Sequence, residues 1–263
     1  MGFPAATGPV STAAITTDSE AIDAREIKIR SGEDEIPAYE AMPKREGPFP
    51  VVLVVQEIFG VNEHIKDVCR RLANEGYLAI AMELYARQGD VSKMSDIQEV
   101  VQRVVSKVSD EQVLADLDAS VEYARASGQG DVDRLGITGF CWGGRIVWLY
   151  AAHQPKLRTG AAWYGRLTAG FQKGGKQPVG VAAELKAPVL GLYGGKDQSI
   201  PPADIERMRE ALRAAGKEDS CPIVVYPDAG HAFNADYRPS YHEPSAKDAW
   251  ARMLAWFKTH GVA

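Results

Sequence analysis

The stretch Leu135-Gly-Ile-Thr-Gly-Phe-Cys141-Trp-Gly-Gly144 decides how the rest of the chain is read. A short apolar run ends at Phe140 and passes at once into an amphipathic segment, Arg145 to His153, so Cys141 falls on the turn between a strand and a helix. The pattern Gly139-x-Cys141-x-Gly143 suits such a turn. Strained backbone at its centre brings strand and helix so close that side chains two positions to either side would collide with them. A thiol on this turn faces open space, and the helix N-terminus beside it favours thiolate over thiol. The competing reading is a small buried cysteine, since the motif is short and recurs by chance.

Outward from this elbow, the chain alternates. Glu26–Arg30 and Ile36–Met42 read as two strands joined by a hairpin turn over Ser31–Glu35, and Pro37 predicts an edge strand. Pro50–Val55 is a β-branched run of the kind buried on both faces of a parallel sheet. Asn62 is placed to cap a helix reaching Glu75, with Ile65, Val68, Cys69, Leu72 and Ala73 on its core face and Gly76 as its stop. Tyr77–Met82 is a strand that delivers Glu83–Asp90 to a loop. A helical region follows from Met94 to Ala124, broken near Ser109-Asp110. Gly160–Tyr164, Pro188–Tyr193 and Ile223–Tyr226 are further strands, with a helix opening at Pro201-Pro202 between the last two. A final helix is predicted from Ser245, with Asp248 completing a capping-box-like start and Trp250, Leu254 and Phe257 buried. Strands alternating with helices predict a mainly parallel sheet, covered on both faces and carrying its chemistry at the carboxyl ends of the strands, with an antiparallel hairpin at the N-terminus.

A chain of 263 residues with no break in composition reads as one domain over residues 21–263, preceded by a mobile tail over residues 1–20. Met1–Ala14 is small and apolar like the end of an export signal, but it lacks a basic start and a long apolar core. The expected compartment is therefore the cytoplasm, with export as the alternative if the tail is the remnant of a trimmed leader. A net charge of −5 gives no electrostatic case for nucleic acid or an anionic membrane, and no apolar run is long enough for a span. Three widely spaced cysteines support neither a disulfide framework nor a zinc site.

Cys141, Asp197 and His231 each fall just after a predicted strand, in the order nucleophile, acid, base, which is the order of the α/β-hydrolase fold. In these roles His231 takes the thiol proton and later protonates the leaving oxygen, while Asp197 fixes the imidazole and stabilises its charged form. The N–H groups of Trp142 and Ile58 are the candidate oxyanion donors. Singly, Asp197 fits an ordinary turn aspartate and His231 a surface histidine; the conjunction carries the reading.

Here the chain resembles the dienelactone hydrolases, or carboxymethylenebutenolidases. The likeness rests on Gly139-Phe-Cys-Trp-Gly-Gly144, Gln56-Glu-Ile-Phe-Gly-Val-Asn62, Leu84-Tyr-Ala-Arg-Gln88, Gly194-Gly-Lys-Asp197 and Ala229-Gly-His-Ala-Phe233, and extends from about Ala24 to the C-terminus. It implies that Glu57 holds the resting thiol and accepts its proton when substrate binds, sparing the protein a permanently oxidisable thiolate. It also implies that Arg87 pairs with a substrate carboxylate, with Tyr85, Phe59, Trp142 and Phe233 as candidate pocket walls. A second carboxylate-binding arginine of the family falls at Ala235 here, leaving Arg166 or Arg238 to compensate. Arg145 is expected to pair with a neighbouring acid, and His64, His153, His242 and His260 to be structural or surface residues.

The resulting expectation is a hydrolase that opens lactones or cleaves small esters through a cysteine thioester, without metal or organic cofactor, as a monomer or small homo-oligomer. Alternatives are a general carboxylesterase without carboxylate preference, a non-catalytic binding module on the same fold, and a thiol redox protein. The last is disfavoured because there is no C-x-x-C and Cys69 and Cys221 fall at core or strand-start positions.

Overall fold

β3 (Phe49–Val55) lies inside the sheet and is buried along its whole length, as its unbroken β-branched run requires. The computed structural model describes residues 17–94, 96–171 and 174–263. In order, its strands are β1 (Ile22–Ser31), β2 (Asp34–Pro43), β3, β4 (Leu78–Met82), β5 (Gly130–Phe140), β6 (Thr159–Trp163), β7 (Val189–Gly194) and β8 (Ile223–Tyr226). Its helices are α1 (Glu63–Asn74), α2 (Ile97–Arg103), α3 (Asp110–Ala126), α4 (Trp142–His153), α5 (Pro202–Ala214) and α6 (Glu243–Thr259). They build one eight-stranded sheet ordered β1-β2-β4-β3-β5-β6-β7-β8, antiparallel from β1 through β4 and parallel from β4 to β8. This is the architecture expected from the alternation of elements. Most of the anticipated tail lies outside the described residues; Thr17 donates its N–H to Asp67 Oδ1 on α1 at 2.9 Å.

Side-chain alternation along β5 divides the helices between two faces. Gly136, Thr138 and Phe140 look toward α1 and α6, where Phe257, Met253 and His64 meet them. Gly139 faces α4, and Tyr150 of α4 hydrogen-bonds Asp118 of α3 at 3.0 Å on that side. Asn62 caps α1 by accepting from Ile65 N at 3.1 Å, and Gly76, at φ +100°, ends it, both as its sequence predicts.

Two expectations are corrected. Pro37 is not on an edge strand: β2 lies between β1 and β4. Pairing of β2 with β4 stops at Ala38–Met82, and the Pro37 carbonyl then takes Glu83 N, so the proline's missing N–H falls where β4 has already ended. Helix α6 begins at Glu243 rather than Ser245, with Pro244 in its first turn and no side-chain capping bond. Its buried stripe is Ala246, Ala249, Met253 and Phe257, leaving Trp250 and Leu254 only half-buried.

The start of α4 wedges between the ends of β3 and β6, backbone against backbone. A Cβ on Gly143 would stand 2.5 Å from the Val55 carbonyl oxygen, and one on Gly144 would overlap the Trp163 carbonyl. Gly144→Ala should therefore lower the unfolding free energy by about 2–3 kcal/mol, the upper part of the range for overpacked interiors. Urea unfolding of the variant checks this, and an unchanged midpoint would mean that the junction relaxes freely.

Candidate active site

Cys141 sits between β5 and α4 at φ +54°, ψ −112°, a backbone conformation that costs a non-glycine residue strain. Its N–H is held by the Trp163 carbonyl at 3.0 Å, and its own carbonyl accepts from Gly144 N at 3.0 Å. Among the described residues only Tyr164 (φ +38°) and Ala232 (φ +58°) are other non-glycines with positive φ. All three line one cavity of about 430 Å³ at the carboxyl end of the sheet.

His231, in the loop after β8, places Nε2 3.2 Å from Cys141 Sγ and Nδ1 2.7 Å from Asp197 Oδ2. Asp197, in the turn after β7, is buried and also accepts from Ser199 N at 2.8 Å, which fixes the carboxylate plane. Burial opposes a charge on His231, but the Cys141 sulfur and the Asp197 carboxylate outweigh it and hold the imidazolium up to about 10, above the ordinary 6.5.

The cavity wall also contains Glu57, Ile58, Phe59 and Trp142, all expected there. Three other expected residues stand elsewhere. Arg87 is engaged by Asp34 at 2.6 Å, Asp116 at 2.7 Å and the Ser31 carbonyl at 3.1 Å, tying the loop after β4 to the β1–β2 turn and α3. It is absent from the cavity wall because these two acids and the Ser31 carbonyl, remote in sequence, take all its nitrogens. Tyr85 is buried behind Trp142, ring centroids 5.0 Å apart, and Phe233 is core, packed on Trp163, Tyr164 and Tyr226.

Arg238 places Nη2 3.5 Å from Glu57 Oε2 and its guanidinium 4.6 Å over the Phe59 ring. Arg238 and Arg166 both line the cavity. Tyr164 went unrecognised in the sequence: its ring meets His231 edge-on at 5.3 Å and its buried hydroxyl has no hydrogen-bond partner among the described residues. Burial and the charges of Glu57 and Cys141 push that phenol up. Its position, first after β6 and next to the elbow strand, is the signal that could have found it. Arg145 pairs with Asp110 through two bonds of 2.8 Å. Of the remaining histidines, His64 is buried against Asp236, His153 meets Asp118, His242 meets Ser245 and His260 bonds its own helix. Cys69 and Cys221 are buried, and burial pushes both thiols up.

Sheet order and the elbow that carries Cys141, with Asp197 and His231 following β7 and β8, define an α/β-hydrolase fold. The profile of the dienelactone hydrolase family matches residues 36–261. The chain is 61% identical over 264 residues to a "Putative carboxymethylenebutenolidase" of Methylorubrum extorquens, covering 100% of this chain and 90% of that protein. A protein of the same name from Escherichia coli is 58% identical over 262 residues, covering 99% and 96%. The crystal structure of a "Putative Dienelactone Hydrolase" from Klebsiella pneumoniae superposes with a TM-score of 0.87 at 60% identity, covering 90% of this chain and 99% of that one. The chain belongs to the dienelactone hydrolase family, and it is a hydrolase.

Because its value is raised, charged His231 contributes stability that is fully present below pH 6.5 and is lost as pH climbs through about 10. Asp197→Asn removes one of the two groups that hold the charge. Its unfolding free energy should fall less between pH 6.5 and 10 than that of the native protein, read by urea titration at both ends. Parallel curves would mean that His231 carries no charge in the folded state.

Proposed function

We propose that this hydrolase opens small lactones bearing a carboxylate, through a thioester on Cys141. The observation that carries the reading is the Cys141–His231–Asp197 relay in the wall of a cavity that also holds Arg238 and Arg166. The names of the relatives add support, since a carboxymethylenebutenolide is a lactone with a carboxylate arm.

In this reading Cys141 Sγ attacks the lactone carbonyl while its proton passes to Glu57, since His231 already carries its own. The N–H groups of Trp142 and Ile58 hold the tetrahedral oxyanion; Trp142 opens α4, so its N–H has no acceptor within the helix. Collapse breaks the ring C–O bond, and the His231 imidazolium gives its proton to the leaving oxygen. Water then attacks the thioester with His231 as base, the S–C bond breaks, and the acid leaves as Glu57 returns its proton to the sulfur. Arg238 holds the substrate carboxylate, taking the place that the family resemblance implied for Arg87. Ala235, buried where the family resemblance places an arginine, favours a second reading in which neutral esters are cleaved as well.

The experiment is turnover of dienelactone beside p-nitrophenyl acetate. Cys141→Ala should abolish both activities. Arg238→Ala should raise KM for dienelactone about 10- to 100-fold, the scale of a charge-assisted bond, and leave that for the neutral ester within about twofold. Arg87→Ala should move neither KM. Equal effects of Arg238→Ala on the two substrates would favour the esterase reading, and full activity without Cys141 would overturn both.

A further inference from the structure

Glu57 is buried, and its two carboxylate oxygens are treated differently. Oε2 accepts from the Tyr237 hydroxyl at 3.0 Å and faces Arg238 at 3.5 Å. Oε1, on a residue that lines the cavity with Cys141, has no hydrogen-bond partner among the described residues. Buried polar atoms are seldom left in that condition without a functional reason.

The direction of the Tyr237 bond is set by a neighbour. Asn62 caps α1 through Oδ1, which accepts from Ile65 N at 3.1 Å, and this turns its amide so that Nδ2 is the atom 3.4 Å from the Tyr237 hydroxyl. An amide N–H₂ only donates, so the hydroxyl oxygen accepts from Asn62 and its single proton goes to Glu57. Tyr237 is itself fixed from the other side. Its neighbour Asp236 is bonded by Arg71 and lies 3.3 Å from His64 Nδ1, both on α1, and the Tyr237 ring packs on His64 at 5.2 Å. Burial opposes charge on Asp236, yet His64 and Arg71 prevail and hold its carboxyl below the ordinary range.

We infer that Tyr237 is a positioning residue for the reaction, anchoring one oxygen of Glu57 so that the other, Oε1, is kept for the proton of the Cys141 thiol. This rests on the reading of Glu57 as a proton acceptor. Tyr237 is not part of the cavity wall, so substrate does not touch it; its hydroxyl bonds Glu57, and its ring also lies under Arg238. Tyr237→Phe removes the hydroxyl while keeping the ring against His64 and under Arg238, 4.9 Å away.

The test is a double-mutant cycle on ester turnover, with thermal unfolding to confirm that each variant is folded. Tyr237→Phe should lower kcat about tenfold, the scale of one hydrogen bond to a charged group, with KM within about twofold. Introduced into Glu57→Ala, the same substitution should change kcat by less than about twofold, because its target is gone. An undiminished loss in that background would make Tyr237 a packing residue and overturn the inference. So would native kcat in Tyr237→Phe, even where Glu57→Ala is strongly impaired. Full kcat in Glu57→Ala would instead remove the reading of Glu57 as proton acceptor, and the positioning role with it.

Discussion

Everything at the carboxyl end of the sheet depends on the backbone of Cys141 being held at φ +54°. That conformation costs on the order of 1–3 kcal/mol and persists only where its surroundings overdetermine it. The surroundings here are glycines. Gly139 must lack a side chain because the Gly143 carbonyl occupies the space, Gly143 because of Val55, and Gly144 because of Trp163. Contacts of backbone on backbone set the start of α4 against the ends of β3 and β6. The same junction seats Tyr164, next to Trp163, in the wall around the thiol, and Ala232, another strained non-glycine, reaches that wall from the loop after β8.

A second constraint runs through the loop after β8. Within a few residues it supplies His231 to Cys141, Asp236 to α1, and Tyr237 and Arg238 to Glu57. Helix α1 begins just after the Glu57 loop, so its Asn62 cap both starts the helix and faces the Tyr237 hydroxyl. Cys141, His231 and the buried Glu57 are thus fixed relative to one another by two loops that share an anchor on one helix.

Much of this was legible in the sequence because it is local. The alternation of apolar runs and amphipathic segments, the Asn62 cap, the Gly76 stop and the cysteine elbow each depend on residues within a turn or two of one another. Strand order is not local, and Pro37 was misplaced because nothing near it reveals that β4 ends just where its N–H would be needed. In α6 the large residues Trp250 and Leu254 masked the small Ala246 and Ala249 and the Met253 that, with Phe257, form the stripe that meets the sheet. The arginines show the limit most clearly. Arg87 has a motif around it and leaves the site, because Asp34 and Asp116 meet it from other elements. Arg238 has no motif and enters the cavity, because Asp236 beside it is pinned to α1. Where a long cationic side chain ends up is decided by its partners, and those are found only once the chain has folded.

The Arg238–Glu57 contact also bears on how substrate charge reaches the chemistry. At 3.5 Å, with an effective dielectric of about 20, two such charges attract by roughly 5 kcal/mol before the cost of desolvation. On the proposed reading a substrate carboxylate competes for Arg238, and whatever share of that attraction it takes is withdrawn from Glu57, which keeps its bond from Tyr237. Glu57 is then held by the Tyr237 hydroxyl with its guanidinium partner turned toward substrate. A neutral ester offers Arg238 nothing and leaves the pair intact. Discrimination between the two substrate types would then appear in the rate of thiol attack as well as in binding, because one guanidinium serves both the substrate and the carboxylate beside the nucleophile.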